Sequence, residues 1–156
     1  MIIISAMTKE RLIGNGNGMP WNVPEEFRQF QDFIAGQTVI MGSRSYEIFK
    51  DHLTSKHNLV ISRSRHQLAG ATVCGSIEEA VEQAQLFGQT IFCAGGAAIY
   101  ELFLPFAQYM YLSFIKGNYS GDTYFPAWKK GEWVATQRAD HPQYEFVIYK
   151  RKQVSQ

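Results

Sequence analysis

Two adjacent carboxylates, Glu25 and Glu26, follow the stretch G-N-G-N-G-M-P-W-N-V-P. Pro24 suits the first position of a helix, which puts both acids in its first turn. There they favour the positive end of the helix dipole, and that role alone accounts for either residue. Helical geometry separates them, because neighbouring residues lie about 100° apart around the axis. Glu25 shares a row with Arg28, Gln29 and Asp32, a face expected to be solvated. Glu26 shares a row with Phe30 and Phe33, and Phe27 flanks it. A carboxylate aimed into aromatic surroundings has its pKa raised by desolvation. Such a group can manage a proton or anchor an amide-like heterocycle.

A second set of residues could hold an anion. In T-I-F-C-A-G-G-A-A-I-Y a buried strand runs through Gly95-Gly96 into a helix. Glycines there admit close approach of a ligand, and free amides at the helix start favour a pyrophosphate. A tight strand–helix turn is the competing reading. In V-I-M-G-S-R-S-Y-E, Gly42 precedes Ser43, Arg44 and Ser45. In V-I-S-R-S-R, Ser62, Arg63, Ser64 and Arg65 again follow a strand. Arginines and hydroxyls recurring at strand ends make a local phosphate site. The glycine run at 14–18 is no dinucleotide fingerprint, since prolines rather than a helix follow it. It reads as a lid over a site.

The elements that must position these groups follow from periodicity and punctuation. Strands are expected at 2–7, 38–41, 58–62, 72–74, 90–94, 108–115, 133–139 and 145–151, and helices at 25–35, 44–49, 77–87 and 97–104. Residues 8–24 read as one long loop. Ser76 and Glu79 form a capping box, and Gly88 and Pro105 end their helices. Strands alternating with helices imply a single α/β domain over 1–156, with a mostly parallel sheet and an antiparallel edge.

The chain has 156 residues, 46% of them apolar, and a net charge of +1. That suits one core and excludes a global field built for nucleic acid or membrane. Cys74 and Cys93 read as buried thiols of a cytoplasmic protein. The N-terminal stretch lacks the features of a signal peptide, so the sequon at Asn118 reads as accidental. The histidines at 52, 57, 66 and 141 show no metal spacing, and no metal site is expected.

Taken in order, I-S-A, R-L-I-G, M-P-W-N-V-P-E-E-F, V-I-M-G, C-A-G-G-A-A-I-Y and G-D-T-Y-F-P span nearly the whole chain. The set resembles the dihydrofolate reductase family in its short bacterial form. The resemblance implies an eight-stranded mixed sheet flanked by four helices. It implies NADPH-dependent reduction of 7,8-dihydrofolate to tetrahydrofolate, supplying one-carbon metabolism. Hydride passes from nicotinamide C4 to pterin C6, and N5 gains a proton. Glu26 is then the acid that bonds the pterin N3 and 2-amino group. Trp21 holds a water beside it, Ser113 offers a hydroxyl where the family usually has threonine, and Met19 closes over the site. Ile4, Ala6, Phe27, Phe30, Phe49 and Leu53 line the substrate pocket, with the Ile4 and Ala94 carbonyls facing the pterin. Tyr100 lies beside the nicotinamide. Ala6, Ile13, Gly14, Asn17, Gly18, Met19, Gly42, Gly95, Gly96, Ala97, Ala98 and Ile99 border the cofactor, and Asp122 ties a neighbouring loop to the lid.

Three departures from the family pattern matter. Lys56 in L-T-S-K-H-N stands where the family clamps the glutamate tail of folate with arginine. A lysine supplies a point charge without a bidentate fork, so a weaker grip or help from His57 is expected. Ser43 and Ala98 occupy two customary arginine positions. Arg44, Ser45, Ser62 and Arg63 are the compensating groups, which keeps NADPH ahead of NADH. Two other readings stay open here: a related reductase of another pterin or pyrimidine, and a non-catalytic pterin- or nucleotide-binding module. Antifolate binding and a monomeric state are further family-like expectations.

Overall fold

In the computed structural model, residues 1–15, 18–64 and 66–153 are described. The apolar run at the N-terminus forms β1 (Ile2–Met7), whose residues are almost all buried. A strand apolar on both faces belongs at the centre of a sheet covered on both sides. There it lies, in an eight-stranded sheet ordered β5-β4-β3-β6-β1-β7-β10-β9. The parallel part comprises β3 (Thr38–Gly42), β4 (His57–Ile61), β5 (Thr72–Cys74) and β6 (Ile91–Cys93). Beside β1 runs β7 (Tyr109–Ile115), still parallel. Then β10 (Tyr144–Arg151) and β9 (Trp133–Asp140) add the antiparallel edge.

Four helices cover the sheet: α1 (Pro24–Ile34), α2 (Ser43–Phe49), α3 (Ile77–Leu86) and α4 (Ala97–Phe103). Pro24 sits at the start of α1 with Glu25 and Glu26 in its first turn. Ser76 caps α3 by accepting from the Glu79 amide at 3.1 Å. The Glu79 carboxylate reaches back to the Gly75 amide at 2.8 Å, one residue beyond the N-cap amide that it takes in an ideal capping box.

The expected loop at 8–24 contains a strand, β2 (Leu12–Gly14), paired antiparallel with β8 (Thr123–Tyr124). Three apolar or glycine residues carry too little periodicity to announce a strand, and their partner lies over 100 residues away. The pairing is close: a Cβ on Gly121 would sit 2.3 Å from the Gly14 carbonyl oxygen. The Asp122 amide donates to that same oxygen at 3.1 Å. Residues 121–123 are thereby tied to the base of the glycine-rich loop. No helix among the described residues is long and apolar enough to cross a membrane.

Candidate active site

Three strands end at one level. Gly42 pairs with Ile61 across β3 and β4, and the Gly42 amide donates to the Gly95 carbonyl just beyond β6 at 2.7 Å. Ligands of open α/β sheets bind outside such carboxyl ends, where strand order switches. Here β6 is inserted between β3 and β1, and the cleft opens at that point. Its volume is about 520 Å³. Gly95 has φ +99, a left-handed conformation that L side chains rarely adopt, so this turn needs glycine. The Gly95–Gly96 peptide is cis.

Most expected site residues meet in this cleft. Ile4, Ala6, Ile13, Gly14, Gly18, Met19, Glu26, Phe27, Phe30, Gly42, Arg44, Ser45, Phe49 and the run Ala94 to Tyr100 line it. Leu53 packs against the cluster that holds Phe30 and Phe49. Lys56, Ser62 and Arg63 are not among the lining residues. The Lys56 side chain is exposed, and Ser62 and Arg63 follow the end of β4 beside Ser43 and Arg44. His57 stacks on Phe87, centroids 3.8 Å apart. Asn17 lies outside the described residues, as do Gly16 and Arg65.

Glu26 is 7% exposed, whereas Glu25 is exposed and meets His141 at 3.2 Å. The helical row therefore separates the two acids as expected. Desolvation raises the Glu26 carboxyl from 4.5 to about 7, against a smaller lowering influence from the Ser113 side chain. Sheet register sets Ser113: it pairs with Ala6 on β1 and with Phe146 on β10. Phe27, Phe30 and Phe49 form an aromatic wall, with centroids 5.9 to 6.1 Å apart. Phe33, one turn further along α1, instead stacks on Phe146 and packs α1 to the sheet.

The Tyr100 hydroxyl donates to the Ile4 carbonyl at 2.8 Å, joining α4 to β1 across the floor of the cleft. Burial raises its pKa, so it stays a neutral phenol. Trp21 is buried with its indole Nε1 unpartnered within the protein, the one such side-chain atom among the described residues. A buried donor of this kind calls for an acceptor such as an ordered water.

Two sequence expectations change. Row geometry places Gln29 on the solvated face of α1, yet it is half-buried and bonds both Ser113 (3.2 Å) and Tyr144 (3.0 Å). It lies three residues beyond Glu26, close enough around the helix to turn inward. Ser5, Ile48, Ile61 and Thr123 line the cleft without having been singled out as site residues. Ile48 lies one turn beyond Arg44, and Ile61 immediately precedes Ser62, so both were within reach of the spacing argument. Thr123 belongs to G-D-T-Y-F-P, but only its pairing with Gly14 brings it to the cleft.

No cluster of three or more His, Cys, Asp or Glu among the described residues could hold a metal. The cleft does fit an elongated anionic cofactor. Glycines at 42, 95 and 96 keep side chains off its floor, and neither α2 nor α4 has a side-chain cap over its first amides. Arg44 supplies a cation at the rim.

Comparison with known proteins gives a consistent result. The family model described as dihydrofolate reductase matches residues 1–152. Dihydrofolate reductase HdrB of Haloferax volcanii is 34% identical over 97% of this chain and 84% of its own. Dihydrofolate reductase of Neisseria meningitidis serogroup B is 32% identical over 96% of both chains. In three dimensions the chain is similar to a dihydrofolate reductase from Enterococcus faecalis complexed with NADP(H) and an inhibitor designated RAB-propyl. That likeness has a TM-score of 0.88 at 21% identity and covers 97% of this chain and 96% of the other.

Proposed function

This chain belongs to the dihydrofolate reductase family, and from that premise we propose how its own residues carry out the NADPH-dependent reduction of dihydrofolate to tetrahydrofolate. The observation that carries the proposal is one carboxyl, Glu26, buried at the end of an aromatic-walled cleft and titrating near neutrality.

The pterin ring lies against the wall of Phe27, Phe30 and Phe49, which excludes water from one side of it. Glu26 accepts from N3–H and the 2-amino group, and a carboxylate can take both bonds side by side. The Ile4 and Ala94 carbonyls face the ring edge. Bound NADPH supplies the hydride, from nicotinamide C4 to pterin C6. The reaction also consumes one proton at N5. A carboxyl titrating near 7 is suited to hold and release that proton through the pterin and a water at Trp21 Nε1. Tyr100, by fixing Ile4 to α4, holds the substrate strand against the cofactor helix. Met19 closes over both ligands.

Arg44, assisted by Ser45, Ser62 and Arg63, selects the 2′-phosphate of NADPH over NADH. Lys56 meets the glutamate tail of folate as a single charge. Antifolates occupy the pterin site. The protein acts as a single-domain monomer in the cytoplasm, and free, buried Cys74 and Cys93 suit that reducing compartment.

The deciding experiment is the loss of absorbance at the NADPH band with dihydrofolate, wild type beside Glu26→Gln. Glutamine keeps the size and removes the proton. A fall of roughly 100-fold in kcat/KM at pH 7 is expected; an unchanged rate refutes the role of Glu26. Arg44→Ala should raise KM for NADPH and leave that for NADH in place.

A further inference from the structure

We propose that Tyr46 is a positioning residue for the cofactor: its hydroxyl pins the segment after β4 to α2, which sets Arg63 beside Arg44 as a ready-made pair for the 2′-phosphate of NADPH. The inference rests on the reading of those two arginines as the phosphate site.

Sheet register brings the two arginines together. Gly42 on β3 pairs with Ile61 on β4, so Arg44 and Arg63 each stand two residues past the same rung. Arg44 belongs to α2 and lines the cleft with Ser45 and Ile48. Arg63 belongs to the segment between β4 and β5. Arg63, Ser64, His66 and Gln67 are all polar and exposed, so burial does not seat them. Backbone bonds hold the two ends instead. The Ser62 amide donates to the Cys74 carbonyl at 3.0 Å, and the Ala71 amide donates to the Leu68 carbonyl at 3.2 Å, closing a turn.

Tyr46 ties that turn to the helix. It stands two residues beyond Arg44, about 200° around the axis, on the side away from the cleft. It is buried, in the same cluster against which Leu68 and Ala71 pack. Its hydroxyl donates to the Ala69 carbonyl at 2.5 Å. Gly70 follows with φ +78, and a Cβ there would lie 2.8 Å from that hydroxyl. The turn is therefore fitted to the phenol both by a bond and by shape.

Neither the core nor the turn requires the hydroxyl. Phenylalanine would fill the same space with no polar atom to satisfy. Ala69 is exposed, so water can meet its carbonyl in place of Tyr46. What the bond adds is order. A segment fixed beforehand spares the cofactor the entropy of ordering it on binding. The benefit falls on the phosphorylated cofactor, because NADH carries no charge at the 2′ position for Arg63 to meet.

The test pairs Tyr46→Phe with Arg63→Ala and reads two quantities. The first is exchange of the Ala71 amide in the ligand-free protein, followed by NMR. The second is KM for NADPH and for NADH at saturating dihydrofolate. Tyr46→Phe should speed the exchange and raise KM for NADPH by about three- to tenfold, the range that one hydrogen bond is worth. KM for NADH and kcat at saturating NADPH should stay within about twofold. Arg63→Ala should raise KM for NADPH, and adding Tyr46→Phe to it should change that value less than about twofold. Unchanged exchange at Ala71 in Tyr46→Phe overturns the proposal, since the phenol then does not hold the turn. An equal rise for both cofactors overturns it as well, as does a rise that persists in full without Arg63. If Arg63→Ala raises KM for NADPH and Tyr46→Phe does not, the positioning role alone is refuted. If Arg63→Ala leaves that KM in place, the reading of Arg63 fails and the proposal falls with it.

Discussion

Glu26→Gln should stabilise the ligand-free protein at neutral and alkaline pH while lowering its kcat/KM roughly 100-fold. A carboxyl whose pKa moves from 4.5 to about 7 on folding binds its proton more tightly in the native state. Stability therefore falls as pH rises across that interval, because the folded state must either keep a proton or bury a charge. Each pH unit corresponds to about 1.4 kcal/mol, so the interval amounts to roughly 3 kcal/mol. Below about pH 4.5 Glu26 is protonated in both states and the penalty vanishes; above about pH 7 it is fully expressed. Glutamine carries no such penalty at any pH. Urea unfolding of both proteins from pH 4.5 to 8.5 measures this directly, since every other titrating group cancels in the difference. The wild type should lose ground steadily between pH 5 and 7, ending about 2 to 3 kcal/mol below the variant's relative position. Parallel stability curves for the two proteins would refute the burial argument. A difference that grows toward acid would reverse its sign.

Gly121→Ala should force β2 and β8 apart, because the new Cβ falls 2.3 Å from the Gly14 carbonyl oxygen. A loss of about 2 kcal/mol and a Tm lower by several degrees are expected, with Gly131→Ala, which meets nothing within 4 Å, as the neutral control. Ser76→Ala removes the acceptor for the Glu79 amide and should cost about 1 kcal/mol in urea unfolding, with kcat and KM untouched. Lys56→Arg restores a two-pronged donor and should lower the KM for dihydrofolate several-fold at constant kcat; an unchanged KM would remove Lys56 from the glutamate tail.

The sheet and its helices were legible because their signals are local. An isoleucine-rich run, a proline at a helix start, a capping serine and a glycine stop each act within a turn or two. All eight strands of the main sheet and all four helices lie within two residues of their expected bounds. The separation of Glu26 from Glu25 was equally local, since both face choices follow from 100° steps around one helix. Long-range pairing was not legible. β2 is three residues long, and nothing in L-I-G names residues 123–124 as its partner. Gln29 departs from its expected face for a related reason. Row arithmetic assumes that a helix is solvated on the face away from its apolar stripe, but β10 supplies Tyr144 at the boundary and draws Gln29 inward.

The burial of Glu26 makes sense only with a ligand in view. An ionised carboxylate can accept about four hydrogen bonds. Ser113 is one polar neighbour that favours the ionised form, and an indole donor, Trp21 Nε1, lies buried without a protein partner. A site assembled for stability alone would pair these groups or replace them with hydrocarbon. Here Glu26 lines a cleft whose walls include Phe27, Phe30 and Phe49. Such a cleft selects a flat heterocycle that presents two donors side by side, because that ligand both fills the slot and completes the carboxylate. The same completion changes the titration of Glu26. Donors on the ligand favour the ionised form, whereas displaced water and apolar contact favour the neutral one. The two effects oppose each other. Substituting aspartate at position 26 would withdraw the carboxylate by one methylene. It should weaken pterin binding more than it moves the pH midpoint.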